Sequence, residues 1–92
     1  MKTYEFNRKD FNYAEEYFEL IKQKMNLPDW FGKNADALWD MLTGYIKTPC
    51  KIVLIGFGDK DNAYNKYVIE QINTCFEDAS KQFPGRFLIE YK

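Results

Sequence analysis

Histidine is absent from these 92 residues. Its absence removes Ser-His and Cys-His nucleophiles and any histidine-ligated zinc. Acid–base chemistry would have to rest on carboxylates, Lys, Tyr or Cys. Cysteine is scarce as well. Cys50 and Cys75 lack a metal-type spacing and are too few for a disulfide framework. They read as two reduced thiols of a cytosolic protein, and no metal or cofactor is expected. No apolar run approaches membrane-spanning length, and the opening MKTYEFNRKD lacks the apolar core of a signal peptide. The expectation is a chain that works in the cytoplasm and away from membranes. Neither sign of charge dominates: the formal net charge is −1, so no whole-molecule field draws in nucleic acid or anionic lipid. Repeats, low-complexity tracts and linkers are missing too, so residues 1–92 are read as one domain. With 46% hydrophobic and 18% aromatic residues, the chain has enough apolar side chain for a core without staples.

What is present divides into alternating elements. Lys2–Phe6 alternates as a short strand. Asn12, with Glu15 three residues on, resembles a capping box. Ala14, Phe18, Ile21 and Met25 then recur at helical spacing, and Pro28 is the expected stop. After the loop Leu27–Lys33, Asn34 can cap a second helix over Ala35–Thr43, with Gly44 just past its end. Ile52–Ile55 is a continuous apolar run that suits a strand covered on both faces, and Gly56 and Gly58 end it. Val68, Ile72, Cys75, Phe76, Ala79 and Phe83 mark one face of a long helix. Pro84-Gly85 breaks it before a last strand, Phe87–Tyr91. This order predicts an α/β fold with right-handed crossovers: a small three-stranded parallel sheet covered by helices. Tyr64 and Tyr67 read as packing residues, and Gly56-Phe57-Gly58 as a turn.

The second helix carries the functional signal. Leu38, Met41 and Leu42 supply its buried side, while Asp36, Trp39, Asp40 and Thr43 share another face. Trp30, Phe31 and Tyr45 stand close by, as does Asp29. Four aromatics and three acids thus fall within Asp29–Tyr45. A small core cannot absorb every ring, and clustered exposed aromatics mark binding surfaces. Because this cluster is acidic, its partner should be basic. The plain alternative is a Trp39 lying sideways over the core between solvated aspartates.

The stretch LPDWFGKNADALWDMLTGYIKTP, Leu27–Pro49, closely resembles the barstar family of ribonuclease inhibitors. A weaker likeness runs the full chain, through the Ile52–Ile55 strand and the Phe76–Ala79 segment. The resemblance implies a three-stranded parallel sheet and tight inhibition of a secreted ribonuclease with a basic active site, by a free monomer that is not itself an enzyme. It implies that Asp36 and Asp40 are the acidic anchors, with Asp40 where a substrate phosphate sits. Trp30 replaces the Tyr usual in the family and would stack on the catalytic ring. Gly32, Asn34, Trp39, Gly44 and Tyr45 would complete the surface, and the family's further acid on the last helix falls at Asp78, beside Glu77. There are departures. The family's type member is strongly acidic, whereas this chain is nearly neutral, and Lys33 and Lys47 flank the acidic helix where acids stand there. Weak long-range steering is the expected result. The stretch Gly56–Tyr67 is also shorter than the family's, which implies a third helix that is reduced or missing.

Two other classes fit less well. Carboxylates one helical turn apart, at about 5–6 Å, could serve a retaining glycosidase, but such chemistry needs a concave pocket. Trp30, Phe31, Trp39 and Tyr45 could stack single-stranded RNA, but the acids among them would repel phosphate. A protein-binding module of the same fold with a partner other than a ribonuclease is the remaining alternative.

Overall fold

A computed structural model of the chain describes residues 1–58 and 63–92. Strands β1 (Lys2–Asn7), β2 (Cys50–Ile55) and β3 (Phe87–Tyr91) form a parallel sheet in the order β1-β2-β3. Helices α1 (Ala14–Lys24) and α2 (Ala35–Gly44) connect the first two strands, and α3 (Ala63–Gln82) precedes the third. The expected three-stranded parallel α/β architecture is therefore present.

The register aligns Tyr4, Ile52 and Ile89 on one face, with Phe6 beside Leu54 and Cys50 beside Phe87. These residues join one core with Tyr17, Phe18, Ile21, Leu38, Leu42, Ile72 and Phe76 from the helices. The run Ile52–Ile55 is covered on both faces, as its composition suggested, with Ile52, Val53 and Leu54 all buried, but helices supply the cover on one face only. Strand order advances in one direction, so successive right-handed crossovers bring every helix to the same face. Val53 points away from that core yet is buried, flanked in register by Glu5 and Glu90. Beside it, Lys51 Nζ lies 2.7 Å from Glu90 Oε2. The aliphatic stems of such residues keep a central valine dry without a second layer.

The helix ends differ from the expected ones by one or two residues. Tyr13, not Asn12, is the N-cap of α1, and Glu16 rather than Glu15 reaches back, accepting from the N–H groups of Tyr13 at 2.9 Å and Asn12 at 3.1 Å. The Asn12 carbonyl accepts from Asn65 Nδ2 of α3 at 3.1 Å, which fixes that residue outside the helix. At the other end, Asn26 adopts φ 54°, and the Leu27 N–H returns to the Lys22 carbonyl at 2.9 Å. This closing motif terminates the helix before Pro28 is reached.

On α3, Ile72, Phe76 and Ala79 of the predicted stripe are buried and Ile69 joins them, while Val68, Cys75 and, just past the helix end, Phe83 pack half-buried against that core. Tyr64 and Tyr67, read as packing residues, are exposed instead. Asn73 is a buried polar residue, and its Oδ1 accepts from the Tyr17 hydroxyl at 2.6 Å. The shortened stretch Gly56–Tyr67 includes residues 59–62, so the expected loss of a third helix there lies outside the described residues.

Candidate functional site

Asn34 starts α2 as expected. Its Oδ1 accepts from the Ala37 N–H at 2.8 Å while its Nδ2 donates to the Gly32 carbonyl at 3.2 Å. One side chain therefore satisfies an orphan helix donor and ties down the preceding loop. Leu38, Met41 and Leu42 are buried, which turns Asp36 and Asp40 to solvent. At the helix end, the Tyr45 and Ile46 N–H groups both donate to the Met41 carbonyl at 2.9 Å. Ile46 is buried and anchors the exit, leaving Tyr45 half exposed. Gly44 does not stand beyond the helix but is its last residue. A Cβ there would meet nothing within 4 Å, so the fold itself makes no demand for glycine at that position. At Gly32 the demand is steric: a Cβ would lie 3.3 Å from both Ala37 Cβ and Asn34 Nδ2.

The aromatics separate into different environments. Trp30 stands at the tip of a turn closed by the Phe31 N–H donating to the Pro28 carbonyl at 3.0 Å, and 72% of its surface is exposed. Phe31, the next residue, is core: it is 4% exposed, with its ring 6.3 Å from Phe18. Trp39 is half-buried, its ring 6.4 Å from Phe83, which in turn packs against Phe87 at 6.5 Å. Trp39 therefore lies sideways over the core, as the plain alternative expected, while its helical position borders Asp36 and Asp40. The Thr43 hydroxyl donates to the Trp39 carbonyl at 2.9 Å and turns back into the helix.

Asp78 of α3 belongs to the same neighbourhood. Asp78 lines a shallow groove together with Cys75 and Ala35, and burial first, then the charges of Asp78 and Asp36, push the Cys75 thiol upward. Cys75 Sγ lies 3.5 Å from the Ala35 carbonyl and joins α3 to the start of α2. Glu77, the neighbour of Asp78, is turned away and accepts from the Tyr91 hydroxyl. Of the two adjacent acids, Asp78 is the one on the α2 side.

Asp36, Asp40 and Asp78 have no ion-pair partner among the described residues. Two other charges near α2 are already committed. Lys33 Nζ lies 2.6 Å from Glu19 Oε2, and Asp29 lies 3.5 Å from Lys22 Nζ. Lys33 thus does not oppose the acidic face with a free charge. A groove of about 710 Å³ runs between α1 and α3 and adjoins α2 through Asn34 and Ala35. Neither Asp36 nor Asp40 lines it. Asp36 and Asp40 are exposed to solvent, and the shallow groove that Asp78 lines with Ala35 and Cys75 measures about 380 Å³. Among the described residues no group of His, Cys, Asp or Glu is placed to hold a metal ion.

Residues 1–91 match the family model described as "Barstar (barnase inhibitor)". The chain belongs to the barstar family. It is also 35% identical, over 78 residues, to "Putative ribonuclease inhibitor YrdF" of Bacillus subtilis (strain 168), an alignment covering 82% of this chain and 86% of that protein. The barstar match spans all three strands and helices, so it includes the α2 surface and Asp78 together. Sequence reasoning placed the acids of that surface but missed the ion pairs behind it. Lys22 and Glu19 lie three residues apart on α1, a signal of one shared face, but nothing local names Asp29 and Lys33 as their partners.

Proposed function

We propose that this chain inhibits a ribonuclease by inserting the acidic face of α2 into the enzyme's cationic active site. The observation that carries this reading is the arrangement of Asp36, Asp40 and Asp78, which stand exposed, without ion-pair partners among the described residues, with Trp39 on the same helix as the first two and an exposed Trp30 in the loop that leads into it. A ribonuclease site is built to stabilise phosphate charge. A carboxylate on a rigid helix can occupy the phosphate position and accept charge-assisted hydrogen bonds from Arg and Lys. Asp40 is the phosphate mimic in this scheme, and Asp36 is its companion one turn earlier. The rings of Trp30, Trp39 and Tyr45 exclude water around those pairs, which lowers the local dielectric and strengthens them. Asn34 and Gly32 hold the loop and helix in shape before contact, which reduces the ordering cost of association. Gly44 leaves open space beside the helix end for the partner. Asp78 adds a third acid from α3.

In this reading the protein acts in the cytoplasm, as a monomer without catalysis of its own, on an enzyme destined for export. The test is an RNA-cleavage assay with a fluorogenic substrate, in which the purified protein is titrated into barnase and into a panel of other secreted bacterial ribonucleases. Stoichiometric loss of cleavage by at least one enzyme is expected. Full activity of every enzyme at micromolar inhibitor would refute the reading.

A further inference from the structure

We infer that α1 acts as a clamp that holds the Trp30 loop in its binding-ready shape, through Glu19 gripping Lys33 and Lys22 gripping Asp29. The inference deepens the inhibitor reading above, and its affinity arm rests on that reading. Three residues of α1 grip three residues of the loop. Phe18 packs against buried Phe31 with ring centroids 6.3 Å apart. Glu19 Oε2 lies 2.6 Å from Lys33 Nζ, and Lys22 Nζ lies 3.5 Å from Asp29 Oδ1. The two ion pairs have opposite polarity, acid to base at one end of the loop and base to acid at the other. Swapping the loop's ends would bring like charges together, so the pairs define one register of loop on helix.

Trp30 sits between the clamped points and makes little contact of its own, being 72% exposed. Its position must therefore be set by its neighbours. Lys33 makes the requirement explicit. Its backbone adopts φ 50°, a left-handed conformation that residues with a side chain rarely hold without support from surrounding structure. Support comes from the Asn34 amide, which donates to the Gly32 carbonyl at 3.2 Å across Lys33, and from the Glu19 contact on the Lys33 side chain. The hydrogen bond to Lys33 also lowers the Glu19 carboxyl from its usual value. Immediately after Lys33, Asn34 caps α2. Releasing Lys33 would loosen the loop on one side and leave α2 anchored by its buried Leu38 and Leu42 on the other. Glu19 and Lys22 are thus positioning residues that act through Trp30.

Trp30 and Trp39 are the two tryptophans of the chain, so a Trp39→Phe protein reports on Trp30 alone. Time-resolved anisotropy of that protein should show a larger fast-depolarising fraction once Glu19→Gln is added. The paired change of Glu19→Lys with Lys33→Glu should restore the original decay, and Glu15→Gln, on the same helix but outside the clamp, should leave it untouched. In 1 M salt the parent should approach the Glu19→Gln behaviour, because exposed pairs are screened. In the unaltered background, Glu19→Gln should speed dissociation from barnase about two- to five-fold, the range an exposed ion pair supplies. That acceleration should vanish in a Trp30→Ala background and persist beside Asp40→Ala. An unchanged Trp30 decay in the Glu19→Gln protein overturns the clamp. If the protein does not bind barnase, the anisotropy measurement still decides the clamp, while the inhibitor reading is judged on its own assay.

Discussion

Trp39 leans its ring on Phe83 at 6.4 Å, so a residue at the centre of the proposed surface is supported by the segment that leads into β3. Changes at either residue should therefore report on binding and folding together. Trp39→Ala should cost about 2 kcal/mol of stability, roughly half the loss for a fully buried ring. Trp30→Ala, at an exposed position, should stay within about 0.5 kcal/mol of the parent. Both should weaken inhibition. Urea denaturation run beside inhibition titrations separates the two effects. A Trp30→Ala protein that unfolds early would place that ring in the core.

Asp40→Ala should be the most damaging single change for inhibition and nearly silent for folding. In the complex it leaves the enzyme's cationic groups buried without a partner, at about 3–5 kcal/mol. In the free protein Asp40 is exposed and lies past the first turn of α2, where an acid no longer aids the helix dipole. Asp36 lies within that first turn, so Asp36→Ala should cost the fold about 0.5 kcal/mol and weaken binding less. Thermal melts and inhibition titrations of both variants give the ordering. An Asp40→Ala protein that inhibits normally removes the phosphate-mimic role from that residue.

Salt should slow association only moderately. The charge on Lys33 is compensated by Glu19, so the local field comes from Asp36, Asp40 and Asp78 against Lys47, on a chain of net charge −1. Lys47→Gln should raise the association rate roughly two- to three-fold at low salt and not at 1 M. Stopped-flow measurements across ionic strength check this. Equal effects at both salt concentrations would show that Lys47 acts by contact and not by field.

Alkaline pH should unfold the protein through Tyr17. Burial raises the phenol well above its ordinary value of 10.0, with a smaller contribution from Tyr91. Because the folded-state value is raised, the associated stability is complete below pH 10 and is lost as the pH climbs further, where only the unfolded chain ionises freely. Tyr17→Phe should flatten that loss. At neutral pH the same change should cost about 1–3 kcal/mol, since it strands the buried Asn73 acceptor. Denaturation midpoints from pH 7 to 11 test both signs. A Tyr17→Phe curve parallel to the parent would assign the alkaline transition to another group.

Most of the architecture was legible from spacing. The elements and their order follow from apolar periodicity, and Asn34 as a cap follows from its place before the Asp36–Thr43 face. The boundaries were less legible where a distant residue intervenes: Asn65 holds Asn12 out of α1, and no local pattern announces a contact across the chain. The two-faced burial expected of Ile52–Ile55 is present, but handedness, which composition does not encode, places all helices on one side and leaves the other to the stems of neighbouring strand residues. Phe31 and Trp30 are adjacent and chemically alike, yet one is core and the other is exposed. Only the turn at Pro28 and the position of Phe18 decide which is which. The ion pairs of Lys33 and Asp29 were invisible for the same reason, so both charges looked free in the sequence.

An inhibitor must change whenever its target does, and α2 divides its residues in a way that permits this. Leu38, Met41 and Leu42 serve the interior, whereas Asp36 and Asp40 project outward from the same turns. Lineages can therefore revise the acids to follow a drifting enzyme and leave the interior as it is. Trp39 lacks that freedom. Its ring is shared between the interior and the rim, so any new target must still accommodate an indole there. Across diverging inhibitor–enzyme pairs, position 39 should be the slowest of the surface to change.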